Sequence, residues 1–513
     1  MKRHILPIWI VMLMLITFSG FSQSAEITNV RKKEFRGVYP IMNKQTNTPQ
    51  GYYTFYVNEK VGGGMINFII AIFDLDLKII KQTPITITKH SSVDGSEFNG
   101  EDFLFVFNDL KKKTLTYVTA DKNGDIIKTK GIVEAKRYAA TADVYPSSNG
   151  GFYIVKPIKE KKWGYSVERV DRNLNTQWEK RFMPEKGIVT AEAVESRGDQ
   201  IIVVQSVRPT ITSKKVKAEF VCLADQSGEN VFNYSLYDGE ATAVPSAFYI
   251  DKDKNIVTGG MYFDGEKMDA TNSDGIFFLK LSPKGEKLAY SKIDWDNGIQ
   301  AVLKSTKKGL SIGSKPKVYF QDITQTKDGN YQVISETFKK NIQLMSSPLK
   351  DMISGRYIGW VNDNSKDNKP VTFEIMDFMF FTFDDQAKLT NMNIVEKEHT
   401  KISVYRPYNS MYGLQMARMV DKFGWFNYGF LTTSASGENL LISKNFAISD
   451  AYIGINTMKT GEVSETHKIP VNKRSAKGGR LGCMPGRPGD LCIFLFDKKE
   501  EVVFMYLEKI KLR

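Results

Sequence analysis

Several stretches of this chain could do chemistry, and each must be tested against the elements that would have to hold it. Gly309-Leu310-Ser311-Ile312-Gly313 matches G-x-S-x-G, the turn that presents a nucleophilic serine in α/β-hydrolases. That chemistry needs a strand before the serine, a helix after it, and a parallel sheet to bring up an acid and a histidine. Here Ser314-Lys315-Pro316-Lys317 follows, which cannot start a good helix, and no β–α alternation surrounds it. We read the match as chance. Asp251-Lys252-Asp253-Lys254-Asn255 begins like a calcium loop, but Ile256 stands where glycine is needed and Tyr262 where glutamate is needed. It reads as a hairpin turn. Asp294-Trp295-Asp296-Asn297-Gly298 is rich in oxygen donors and could hold a cation, although turns share that composition. Outside the first residues the histidines are His90, His399 and His467, none at metal-ligand spacing from another. No glycine-rich phosphate loop opens a helix. Paired carboxylates for glycoside cleavage are selected by distance in space, which sequence spacing does not reveal. No catalytic residue, metal ligand or cofactor is therefore assigned.

The cysteines suggest a structural bond. Between Cys483 and Cys492 runs Met484-Pro485-Gly486-Arg487-Pro488-Gly489-Asp490-Leu491. If Gly486 to Gly489 is a four-residue hairpin loop, Cys483 faces Cys492, within reach of a disulfide. Cys222 sits in the strand pattern Phe220-Val221-Cys222-Leu223 and reads as a small buried hydrophobe.

The N-terminus has the order of a cleaved secretory signal. Lys2, Arg3 and His4 are basic, Ile5 to Phe18 is apolar, and Ser19 to Ala25 is small and polar apart from Phe21. Ser22 and Ser24 fit the small-residue positions, placing cleavage near Ser24 or Ala25. The apolar run is short for a membrane anchor, and no later run is long enough to span a bilayer. Export to the periplasm or beyond would supply the oxidising environment a disulfide needs. The net charge is +13, spread over short clusters such as Lys111-Lys112-Lys113 and Lys473-Arg474. No basic stripe interleaved with aromatics appears, which argues against a nucleic-acid partner.

The elements that must position any site are strands. Aromatic residues make up 12% of the chain, an enrichment that suits strands. A turn opening onto an apolar strand recurs at Gly51, Gly100, Gly150, Gly198, Asn255, Gly329, Gly437 and Gly489. A second turn recurs at Asp74, Asp121, Asp171, Asp225, Ser282, Asp384, Met458 and Asp497, alternating strictly with the first. The stretch Val167 to Phe182 shows the unit: strand, polar turn, then a strand on which Leu174, Trp178 and Phe182 share one parity and so one face. A repeat of about 50 residues with two hairpin turns predicts a four-stranded blade, and a radial set of blades a β-propeller. Runs such as Phe68-Ile69-Ile70-Ala71-Ile72-Phe73 are continuously apolar, as expected of a strand covered on both faces.

Eight blades fit best, or seven if one unit is irregular. The last unit has only three strands, so a strand within Ile27 to Phe35 is expected to complete it and close the ring. The reading is thus an all-β chain, with a signal segment at 1–25 and one propeller at 26–513. Two insertions break the period, at 337–374 and 396–430. The first carries Tyr357 and Trp360. The second carries Tyr408, Tyr412 and Trp425, with a short helix expected within Tyr408 to Phe423. These five aromatics are the candidate ligand-binding residues, because aromatic faces suit sugar rings and protein partners alike.

Lys327-Asp328-Gly329-Asn330, Asp121-Lys122-Asn123-Gly124 and Asp171 to Trp178 carry a resemblance over residues 26–513. The chain resembles secreted β-propeller-like repeat proteins of unknown function from the Bacteroidetes, and its leader, ending Gly20-Phe21-Ser22-Gln23, is similar to theirs. The resemblance implies architecture and export. It carries no active residue over, since one fold hosts many functions. Two functions follow as expectations. One is a monomeric binding scaffold for a glycan, peptide or protein partner. The other is a polysaccharide hydrolase or lyase using carboxylates around the central channel.

Overall fold

A computed structural model describes residues 23–30, 35, 37–43, 48–136, 139, 141–210, 213, 215–266, 273–299, 317–342, 357–358, 370–405, 413–445, 451–459, 462–471, 480–497 and 499–510. The Ser311 motif, Trp360, Tyr408 and Tyr412 lie outside them. The described strands form eight antiparallel units in chain order. Blades 1 to 7 span residues 38–88, 92–133, 143–182, 188–235, 241–294, 317–395 and 428–470. A single parallel bridge, Trp163 to Ile188, links blades 3 and 4 into one sheet. Blade 8 takes three strands from residues 480–509 and its outermost strand, Ser24–Ile27, from the start of the chain.

The residue pattern explains why these sheets stand radially. On the second strand of blade 2, Phe103, Phe105 and Phe107 pack with Phe55, Phe68 and Ile70 of blade 1. Leu104 and Val106, of the opposite parity, pack with Val144, Phe152 and Ile154 of blade 3. Both faces are thus buried, which is why the run is continuously apolar. The same arrangement holds at every seam, through blades 3 and 4, 4 and 5, 5 and 6, 6 and 7, and 7 and 8. The last seam joins blade 8 back to blade 1 through Cys492, Phe494, Met505, Tyr52 and Phe73. A cycle of apolar seams that returns to its first member is a closed propeller.

The hairpin turns show why aspartate recurs. The Oδ1 atoms of Asp74, Asp121, Asp171 and Asp384 each accept from the backbone N–H two and four residues on. The residue three on adopts positive φ: Leu77 at 62°, Gly124 at 86°, Leu174 at 61° and Ala387 at 62°. Leucine at such a φ is disfavoured, and burial compensates. Leu174 enters the seam between blades 2 and 3, whereas Trp178 and Phe182 enter the seam between blades 3 and 4. The expectation of one shared face therefore fails, because the turn adds a residue and shifts register between Arg169 and Val170.

Two other expectations are corrected. Ring closure by the N-terminus holds, but the strand is Ser24–Ile27, pairing with Val503 to Tyr506, and not one within Ile27 to Phe35. Cys483 and Cys492 are free, as is buried Cys222. The ladder pairs Cys483 with Ile493 and Met484 with Cys492. The loop runs from Gly486 to Asp490, one residue longer than supposed, so the cysteines point to opposite faces. Cys483 packs toward blade 7 and Cys492 toward blade 1.

Antiparallel order fixes two faces. Turns between the first and second, and third and fourth, strands of each blade lie on one face. Second-to-third connections and the crossings between blades lie on the other. Both insertions belong to that second face, within blade 6 and between blades 6 and 7. They meet there: Tyr357–Ile358 pairs in parallel with Ser403 and Val404, and Thr400–Val404 pairs with Val371 to Ile375. The first insertion is partly an extended hairpin, since its flanks pair from Phe338–Ile375 to Ile342–Val371.

Candidate functional site at the ring axis

The one α-helix among the described residues, α1, spans Gly413–Lys422. Leu414, Met416, Ala417 and Val420 are buried along one side, at the spacing of an amphipathic helix. They pack with Val244, Met261, Phe263, Tyr319, Phe338 and Phe373 of blades 5 and 6. Gly424 ends the helix at φ 64°. The N–H of Trp425 donates to Val420 O at 3.1 Å and that of Gly424 to Asp421 O at 2.7 Å, a glycine-capped Schellman end. Trp425 supplies the apolar contact of that cap, half-buried against the same cluster.

Contacts of α1 fix its place. Arg418 pairs with Glu192 of blade 4 at 2.6 Å and donates to Pro245 O of blade 5 at 3.0 Å. Tyr319 of blade 6 donates to Asp421 at 3.1 Å, while Lys422 pairs with Asp143 of blade 3. All four partners stand on innermost strands. Consecutive residues Asp421 and Lys422 thus reach blades 6 and 3, on distant arcs of the ring. Only a position near the axis permits this, so the end of α1 lies across the central opening.

The innermost strands are bent to meet it. Register shifts place Asp94, Glu192, Ser246, Gln321 and Gly429 as extra residues in blades 2, 4, 5, 6 and 7. A bulge re-aims its side chain out of the sheet's alternation. Asp94 accepts from Ala142 N at 2.7 Å, just before the inner strand of blade 3, and Ser246 accepts from Phe320 N of blade 6 at 3.1 Å. Glu192 lies between Arg418 and Arg208, the latter at 3.3 Å. Burial pushes its carboxyl up, but the two guanidiniums outweigh burial and hold it below the usual carboxylate range.

A second polar cluster lies between α1 and blades 6 to 8. Glu336 is fully buried and accepts from Lys397 at 3.0 Å, from Tyr428 N at 2.7 Å and from Asn427 N at 3.2 Å. Tyr428 donates to Asp322 at 2.5 Å. Burial pushes the carboxyls of Asp322 and Asp421 up, and the ammoniums of Lys397 and Lys444 down. Asp421 nevertheless has an exposed surface. Glu97, on the inner strand of blade 2, is likewise part-exposed, and burial raises its carboxyl to about 7. Chemically, most of these groups neutralise one another. Glu192 meets arginines, Glu336 meets Lys397 and two amides, and Asp322 and Asp421 meet tyrosines.

The chain belongs to the family of unknown function DUF6770. The family's model matches residues 1–511. No curated protein matches the sequence. Among solved structures, it is similar to quinohemoprotein alcohol dehydrogenase from Comamonas testosteroni, at 11% identity and TM-score 0.43, over 96% of this chain and 77% of that one. It is also similar to the polysaccharide lyase Uly1, at 10% identity and TM-score 0.40, over 82% and 90% of the two chains. A third is the WD40 domain of SCAP from fission yeast, at 6% identity and TM-score 0.39, over 94% of each. Likenesses this remote assign no chemistry.

Of the five aromatics singled out from this family member's sequence, Tyr357 and Trp425 lie among the described residues. Tyr357 opens the short strand that joins the insertions, and Trp425 serves the helix cap. Among the described residues no group of three or more His, Cys, Asp or Glu is placed to hold a metal, and no helix is long and apolar enough to cross a membrane. The turn at Asp294 is closed by protein: Asn297 N donates to Asp294, and buried Trp295 donates to Ser273 at 3.1 Å. Sequence reading missed Glu97, Glu192, Arg208, Asp322 and Arg418. The available signal was Arg418 and Lys422, one turn apart on the polar side of an apolar-striped helix.

Proposed function

We propose that the protein is an exported propeller that binds a glycan, peptide or protein partner through the face carrying the two insertions. The supporting observation is α1 lying across the axis, with its charges matched by the inner strands of blades 3 to 6. A ring whose mouth is crossed by its own helix offers a surface in place of a deep channel. The joined insertions enlarge that surface, while the opposite face has short turns. Long loops that a repeat does not need for folding tend to serve recognition. The aromatics Tyr357, Trp360, Tyr408 and Tyr412 would supply contact area.

A second reading, a polysaccharide hydrolase or lyase, draws on Glu97. Its carboxyl holds its proton to about pH 7, as a general acid requires. One experiment separates the two. The full-length protein is screened against acidic and neutral polysaccharides for binding, and for new reducing ends or unsaturated products. Binding without turnover supports the scaffold. Turnover that disappears in Glu97→Gln, with binding kept, would replace it with the enzyme.

A further inference from the structure

We infer that the export leader is removed between Ser22 and Gln23, and that Gln23, the new first residue, is a working part of the ring closure. The inference rests on the proposed export. The leader offers two sites with small residues three before and one before the cut. Ser22 and Ser24 would give a cut after Ser24, and Gly20 and Ser22 a cut after Ser22. The small-residue pattern favours the cut near Ser24 or Ala25, but the closing strand points to the earlier one.

Ser24 pairs with Tyr506, Ala25 with Met505, Glu26 with Phe504 and Ile27 with Val503. The carbonyl of Gln23 continues this ladder, accepting from Leu507 N at 3.0 Å. Asp76 stands in the outer hairpin turn of blade 1 and accepts from Arg487 of the first turn of blade 8 at 2.7 Å. Asp76 and Arg487 tie the two blades across the seam that the chain itself must close, and the Gln23 carbonyl lengthens the closing ladder beside them. Cutting after Ser24 would remove the Gln23 carbonyl bond and the Ser24 pair. That leaves three ladder pairs on an edge every other blade covers with a covalently continuous strand. Cutting after Ser22 keeps all of it. The step is hydrolysis of one peptide bond by an export peptidase. Water adds across it, leaving a carboxylate on Ser22 and an amine on Gln23.

The test reads the mature N-terminus directly. The full-length gene is expressed with its own leader in a bacterial host, and the protein of the exported fraction is taken for N-terminal peptide mass spectrometry. A chain starting at Gln23, with or without loss of ammonia from that residue, is the expected result. A start at Ala25 or Glu26 in the exported fraction would overturn the inference and leave export standing. A chain retaining Met1 in the cytosolic fraction would overturn both. In a second arm, purified chains starting at Gln23 and at Ala25 are compared by thermal melting. The shorter chain should melt several degrees lower. Equal melting would overturn the structural role given to Gln23.

Discussion

At the seam between blades 3 and 4, Asp225 is fully buried and accepts from Ser147 at 2.9 Å, Asn149 at 3.0 Å, Arg169 at 3.1 Å and the Tyr153 hydroxyl. Burial pushes its carboxyl up, but these donors outweigh burial and hold it below the usual range. At the axis, burial raises the part-exposed Glu97 carboxyl to about 7. The seam satisfies a charge so fully that it is easier to ionise than in water. The axis leaves a carboxyl easier to keep neutral. Seams are where this protein is held together, and the axis is where groups retain unspent chemistry. Most inner-strand groups at the axis are matched by α1, which narrows the unspent set.

The comparison can be broken first at a seam. Phe103 is fully buried, with ring centroids 4.7 Å from Tyr53 and 4.6 Å from Phe98. Phe103→Ala should cost about 3–5 kcal/mol, the usual range for emptying such a site. Urea unfolding of wild type and variant would show it. A loss below about 1 kcal/mol would mean that the seams are loosely packed.

Arg418→Ala addresses the axis. The pair with Glu192 is mostly buried, at 19% and 15% side-chain exposure. Removing the guanidinium leaves Glu192 with Arg208 alone, so a smaller loss is expected, about 2–3 kcal/mol. Arg418→Lys should recover only part, because lysine cannot reach Glu192 and Pro245 O together. If Arg418→Ala melts like wild type, α1 is a loosely seated lid and the channel is open to ligands.

Much of the seam architecture was legible in sequence, and little of the axis. Asp-x-x-Gly and Asp-x-x-Leu turns declare themselves because the aspartate bonds its own backbone locally. Continuous apolar runs declare two covered faces. By contrast, the place of α1 depends on Arg418 meeting Glu192 from far along the chain, and no local pattern records that. The inner-strand bulges insert single residues, Glu192 and Asp94 among them, that periodicity reads as ordinary strand. The Cys483 to Cys492 pairing failed for the same reason: one extra loop residue reverses every side chain beyond it. The closing strand was set too late because Ser24 and Ala25 were assigned to the leader.

The third test uses pH and turns on sign. A carboxyl raised to about 7 in the folded chain holds its proton more tightly there than in the unfolded chain, near pH 4.3. Its contribution is therefore fully present below about pH 4 and is lost as pH rises through 7. Asp225 behaves oppositely: its contribution is present above about pH 4 and is lost as pH falls through its lowered folded value. Between pH 5 and 8 Glu97 should lower stability as pH rises, by about 1–2 kcal/mol once its partial exposure is allowed for. Melting wild type and Glu97→Gln across that window should show a decline that the variant lacks. The same decline in both would move the titrating group elsewhere.

The smallest expected effect separates packing from recognition within the insertions. Trp425 is the apolar partner of the helix cap, half-buried beside Val420 and Met419. Trp425→Ala should therefore cost about 1–2 kcal/mol by lost apolar contact, with binding changed only as far as α1 is loosened. Trp360 belongs to the first insertion and lies outside the described residues. Trp360→Ala is predicted to leave the melting temperature within about 1 °C of wild type while weakening any ligand found in the polysaccharide and partner screen, as the proposed recognition role requires. The two variants measured side by side form the control for each other. If Trp360→Ala melts as low as Trp425→Ala and binds as well as wild type, the insertions are a packing device for α1. Recognition would then have to be sought among the short turns of the opposite face.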